Sequence, residues 1–90
     1  MPTTIVTHNG YVDLSDTAAR WLADLVRTSD HASAGAAAKA ISRGLGSVVQ
    51  LNGPENDAVL AAGITTHVGH ARPEDRDALH VVYRKLADAP

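Results

Sequence analysis

The clearest pattern in the chain lies between Leu14 and Leu45, where apolar residues recur at three- and four-residue steps. Leu14, Ala18, Trp21, Leu22, Leu25 and Val26 form one stripe, with Asp16, Arg20, Asp24 and Arg27 on the opposite side. This is the signature of an amphipathic helix with one buried face. Ser15 is placed to cap it, and Asp16 in its first turn suits the positive end of the helix dipole. A second helix is predicted from near Ser33 to the Gly44-Leu45-Gly46 break. Its stripe is Ala34, Ala37, Ala38, Ile41 and Leu45, while Lys39 and Arg43 point outward one turn apart. Side chains this small admit a close neighbour but bury little area each. The second helix therefore needs something packed against it.

The flanking segments read as shorter elements. Thr4-Ile5-Val6-Thr7 and Tyr11-Val12-Asp13-Leu14 are β-prone runs separated by Asn9-Gly10, a strong hairpin signal because both residues tolerate positive φ. After the helix pair, Ser47-Val48-Val49-Gln50-Leu51 reads as a strand closed by Asn52-Gly53-Pro54. Pro54, Glu55 and Asp57 then resemble a helix start, with Ala58 to Ala61 in the helix and Gly63 as its stop. Ile64-Thr65-Thr66-His67-Val68 is β-branched enough to predict another strand. Gly69 to Arg72 is a loop, and Pro73 opens a last amphipathic helix with Ala78, Leu79, Val82, Tyr83 and Leu86 inward. Acids at its start (Glu74, Asp75, Asp77) and bases at its end (Arg84, Lys85) complement its dipole. Ala87 to Pro90 reads as a frayed tail. The fold class is thus α+β: one small domain over residues 1–90, with an N-terminal β-hairpin or ribbon, a tandem helix pair, short strands and a C-terminal amphipathic helix.

Composition makes the core thin. The 90 residues include sixteen Ala, one Trp, two Tyr and no Phe. Burying a Leu or Val contributes about 1.5–3 kcal/mol and an Ala far less, and small domains bury a smaller share of their surface. No cysteine offers a disulfide, a thiolate nucleophile or a zinc–sulfur site. These facts predict a homodimer, or a partner-dependent monomer, with the alanine-rich face covered between chains. The net charge of −2 supplies no global attraction to nucleic acid or an anionic membrane. No apolar run is long enough to span a bilayer and no signal peptide is recognised, so the expected compartment is the cytoplasm. Abundant Ala, Val, Asp and Arg with little Lys point to a high-GC bacterial or phage genome.

Chemistry is sparsely signalled. His67 and His70 stand three apart, and His8, His31 and His80 are scattered. A His-x-x-His pair supplies two metal ligands at most, and on a strand the two would face opposite ways unless Gly69 broke it. Ser15, Ser29, Ser33, Ser42 and Ser47 lack the surroundings of an activated nucleophile, and Gly44-Leu45-Gly46 is not set between strand and helix as a phosphate cradle is. The reading is of a protein without catalytic, cofactor or metal residues.

Asn9 to Leu45 resembles a ribbon-helix-helix DNA-binding domain, a family with a short strand, a helix, a tight turn and a second helix, paired as an intertwined dimer. The resemblance places the family's apolar positions on Leu22, Leu25, Val26, Ala40 and Ile41, and its groove-facing strand residues on Asn9, Tyr11 and Asp13. The family usually has serine where Ala32 falls, one residue before Ser33, and a basic or amide side chain where Asp13 stands. A carboxylate there could accept from cytosine but repels phosphate. A helix-turn-helix alternative uses Lys39, Ser42 and Arg43 on the second helix.

The leading expectation is a non-enzymatic regulatory or interaction protein that binds a protein partner. Its contact residues would be Tyr11, Trp21, Ala34, Ala38 and Ile41. The alternative is a DNA-binding regulator of ribbon-helix-helix or helix-turn-helix type, contacting DNA through Asn9, Tyr11, Asp13, Lys39, Ser42 and Arg43.

Overall fold

Two strands open the chain. β1 (Thr3–Thr7) and β2 (Gly10–Leu14) pair antiparallel, from Thr3 opposite Leu14 to Thr7 opposite Gly10. The structure, a computed structural model, describes residues 2–7 and 9–88; His8 and the tail residues Ala89 and Pro90 lie outside the described residues. The expected hairpin is present, but its turn is shifted by one residue. Asn9 sits in the turn, and Gly10, at φ +106°, already begins β2 in a conformation that suits glycine.

The helix pair follows as α1 (Asp16–Arg27) and α2 (Ala34–Arg43). Ser15 caps α1 by accepting from the Ala18 N–H at 3.0 Å. Ser33 makes no such side-chain cap; its own N–H donates to His31 Nδ1 at 3.0 Å in the preceding turn. α2 ends at Gly44, and β3 (Val48–Gln50) then lies beside β1, parallel to it, in a sheet ordered β2-β1-β3. α3 (Gly53–Ala61) starts from a reciprocal capping box between Asn52 and Glu55. The predicted strand at Ile64–Val68 is absent. Gly63, at φ +80°, reverses the chain after α3, and the Thr66 and His67 N–H groups both return to its carbonyl. The segment becomes the short helix α4 (Ile64–His67) and a 3-10 turn (Val68–His70), sinking Ile64 into the core. α5 (Pro73–Ala87) closes the fold.

One core serves the described residues. Ile5 pairs with Val12 on one side and Val49 on the other, and all three are buried. Leu22 and Val26 of α1, Ile41 of α2, Val59 of α3 and Leu79 and Val82 of α5 join them. The alternate residues Thr4, Val6, Tyr11, Asp13, Val48 and Gln50 are half-buried or exposed. The helices therefore cover a single face of the sheet, and the other face has no helix layer. The result is a small α+β domain of two layers.

The alanine-rich face corrects an expectation. Ala34, Ala38 and Ile41 are buried at 3%, 1% and 0% exposure by the chain itself, in the core shared with Ala18, Ala19 and Ala23 of α1. Small residues on two neighbouring helices let the backbones approach until little surface is left to share. That face needs no second chain to cover it.

Two joints hold the layers together. At the end of α2, a Cβ on Gly44 would come within 2.4 Å of Val49 Cγ2 and 3.0 Å of the Val48 carbonyl oxygen. At the start of α5, Asp75 is only 6% exposed; its Oδ1 accepts from Ser15 Oγ at 2.8 Å, and its Oδ2 has no partner. Ser15 thus caps α1 and anchors α5 with one hydroxyl.

Gly44→Ala is expected to lower unfolding stability by about 1–3 kcal/mol through overpacking, read as a lower urea midpoint. An unchanged midpoint would mean β3 is not seated against α2. Ser15→Ala is expected to cost about 1–3 kcal/mol, because it removes a cap and strips a buried carboxylate of its donor. A loss within a few tenths of a kcal/mol would refute the joint.

Candidate interaction surface

Which side chains the sheet presents follows from strand alternation. With Ile5, Val12 and Val49 inward, Tyr11, Val6 and Gln50 form one row on the open face, and Asp13, Thr4 and Val48 form the next. Tyr11 is 66% exposed and Val48 59%, the two most exposed large apolar residues among those described. Thr4 Oγ1 donates to Asp13 Oδ1 at 2.6 Å, fixing that carboxylate across the strand pair. No Lys or Arg lies on these rows.

The edge of β2 is also open. The Thr4 N–H donates to the Ser47 carbonyl at 2.9 Å, so Thr4 and Val6 bond toward β3 and Thr3, Ile5 and Thr7 bond toward β2. In β2 the backbone groups of Tyr11 and Asp13 consequently point away from the sheet. α5 runs along this strand, tied at both ends. Ser15 meets Asp75 at one end, and Asn9 meets the C-terminal turn of α5 at the other. There Asn9 Nδ2 donates to the carbonyls of Lys85 and Asp88, and Lys85 Nζ donates back to the Asn9 carbonyl at 3.0 Å. At the other end of the helix, the backbone N–H of Glu74 itself first, then the Arg72 guanidinium, keep the Glu74 carboxylate below the ordinary range.

The residues singled out from sequence are not gathered into one place. Tyr11 and Asp13 lie on the open sheet face. Trp21 is half-buried against the core, and Ala34, Ala38 and Ile41 are inside it. Lys39 and Arg43 are exposed in the helix layer, whereas Ser42 is half-buried and accepts from Arg27 Nη2 at 3.1 Å. Asn9 is engaged with helix carbonyls. The two groups of DNA-contact residues therefore sit in different layers. His67 and His70 are exposed, with ring centroids 6.4 Å apart. Among the described residues no group of three or more His, Asp or Glu converges as a metal site would, and no cavity opens. Val48 was the residue missed in sequence, since a valine in a strand looks the same whether its face is covered or bare.

In class, this is a two-layer α+β domain whose sheet, among the described residues, has an uncovered face and an unpaired strand edge. Comparisons with protein-family models, curated proteins and solved structures find no match. Among the described residues no helix is long and apolar enough to cross a membrane.

Asn9→Ala is expected to cost about 1–2 kcal/mol through two lost bonds to carbonyl groups. Amide exchange should accelerate at the last turn of α5 and stay unchanged in α1. Equal acceleration in both helices would show that the turn stabilises the whole fold rather than this contact.

Proposed function

We propose that this protein acts by binding another protein, without catalysis, at the open side of its sheet. The observation that carries the reading is the placement of Tyr11 and Val48. The two largest exposures of apolar surface fall on the same helix-free face, on either side of β1. Aromatic side chains supply large contact area at low entropic cost and are enriched in protein interfaces. The face carries one carboxylate and no base, which favours a protein over a polyphosphate, whose binding rests on neutralising phosphates. A DNA contact would have to use Lys39 and Arg43 with Arg27 beside them, three bases of the helix layer in a chain of net charge −2.

The test is affinity capture from the source cell with nuclease added, comparing the wild type with Tyr11→Ser/Val48→Ser. The wild type is expected to retain a protein that the double variant loses, with nuclease making no difference. Equal retention by both, or retention abolished by nuclease, would overturn the reading.

A further inference from the structure

We propose that the free edge of β2, together with the flank of α5 beside it, receives an extended segment of another protein as a fourth, antiparallel strand. This rests on the protein-binding reading above and names the form in which the partner presents itself.

The edge is built for pairing. Tyr11 and Asp13 direct two N–H and two C=O groups outward, and the β1–β2 register is unbroken over its five pairs. Sheets usually protect such edges with Lys, Pro, a bulge or a covering element; β2 (Gly10-Tyr11-Val12-Asp13-Leu14) contains no Lys, Pro or bulge, and the neighbouring α5 is tied at its two ends to the residues that flank the strand, Ser15 and Asn9. β3, the opposite edge, spans three residues only.

The helix supplies a wall. Arg76 and Lys85, nine residues apart on α5, are half a revolution out of phase. Arg76 bonds the Gly69 and Ala71 carbonyls on one flank, and Lys85 reaches Asn9 on the other. Ala78 and Val81 share the Lys85 flank by three- and four-residue spacing. Val81 is 37% exposed there, the third exposed large hydrophobic among the described residues. A side chain opposite Val12 on an added strand would lie against this flank, while its neighbours opposite Tyr11 and Asp13 would lie on the open face.

Charge sets the sequence. Asp13 uses Oδ1 on Thr4 and is exposed on the open face, and Lys85 stands at the Gly10 end beside Asn9. An antiparallel strand continues the β1–β2 pattern and pairs slightly more stably per residue than a parallel one. The partner segment is therefore basic opposite Asp13, apolar opposite Val12 and β-branched opposite Tyr11. A second copy of this chain does not fit the edge. Paired antiparallel with itself about Val12, β2 would set Asp13 opposite Tyr11 and offer it no base.

The probe is the peptide Thr-Thr-Lys-Val-Thr-Ile-Thr, added at millimolar concentration to isotope-labelled full-length protein and followed by amide NMR. The Tyr11 and Asp13 amides should shift and exchange several-fold more slowly with solvent, while Val48 and Gln50 stay in place. Val81→Arg should abolish the shifts, Asp13→Asn should weaken them, and Val48→Arg should leave them intact. Shifts centred on Val48 and Gln50 would overturn the edge site while keeping the protein-binding reading. Absence of any shift overturns the edge site as well. Concentration-dependent protection of Tyr11 and Asp13 without peptide would assign the edge to a second copy and refute the proposal.

Discussion

The row Val12–Ile5–Val49 across the sheet is the contact on which the rest of the molecule depends. These three side chains stand side by side on neighbouring strands, facing the helices, and all are buried. Because strand side chains alternate with period two, seating this row decides the address of every other sheet residue. A slip of one residue in β2 would turn Val12 and Leu14 outward and bring Tyr11 and Asp13 into the core. The cost of burying that carboxylate makes the slip prohibitive. Core packing thus dictates which side chains are offered to a partner.

The helix layer meets its side of the bargain with small residues. α1 and α2 each bring three buried alanines to the core, Ala18, Ala19 and Ala23 from one and Ala34, Ala37 and Ala38 from the other. Individually these bury little area, but close packing gains dispersion contacts from every atom brought within reach. The same closeness explains Gly44, where β3 passes too near α2 for a methyl group. The sparse aromatic content is matched by short distances between backbones.

The helix pair, the hairpin and the amphipathic α5 were legible in sequence because each carries its own periodicity or turn chemistry. Ser15 was legible as a cap, but its second role, on Asp75 sixty positions away, was not. The parallel pairing of β3 with β1 was also hidden, since strand patterning does not name a neighbour. At Ile64–Val68 β-propensity pointed to a strand, yet after Gly63, at φ +80°, the chain winds into a short helix and a 3-10 turn. Local propensity yields there to the burial of a single side chain, Ile64. The alanine stripe posed the opposite problem. Its periodicity revealed a face to be covered, and the choice between the chain's own α1 and another chain depends on three-dimensional closure. Tyr11 was recognisable as a contact residue, while Val48 acquires its meaning only from the bare face beside it.

The two edges of the sheet are unequal in a way that bears on binding strength. Exposed backbone groups on β2 are solvated in the free chain, so adding a strand exchanges water for protein rather than creating bonds from nothing. Each such exchange contributes about 0.5–1.5 kcal/mol, while ordering an extended segment costs about 1–2 kcal/mol per residue in backbone entropy. Four main-chain bonds therefore cannot hold a flexible segment on their own. The remainder has to come from side chains at fixed places, and the fold supplies them where strand and helix run together: Val81 on one side of the edge, Tyr11 and Asp13 on the other, and Lys85 at the end. The ties at Ser15–Asp75 and Asn9–Lys85 hold α5 along β2 before any partner arrives. A strand edge and helix already held in place save the ordering cost on this side of the interface, which leaves the partner's sequence, more than its length, to determine affinity.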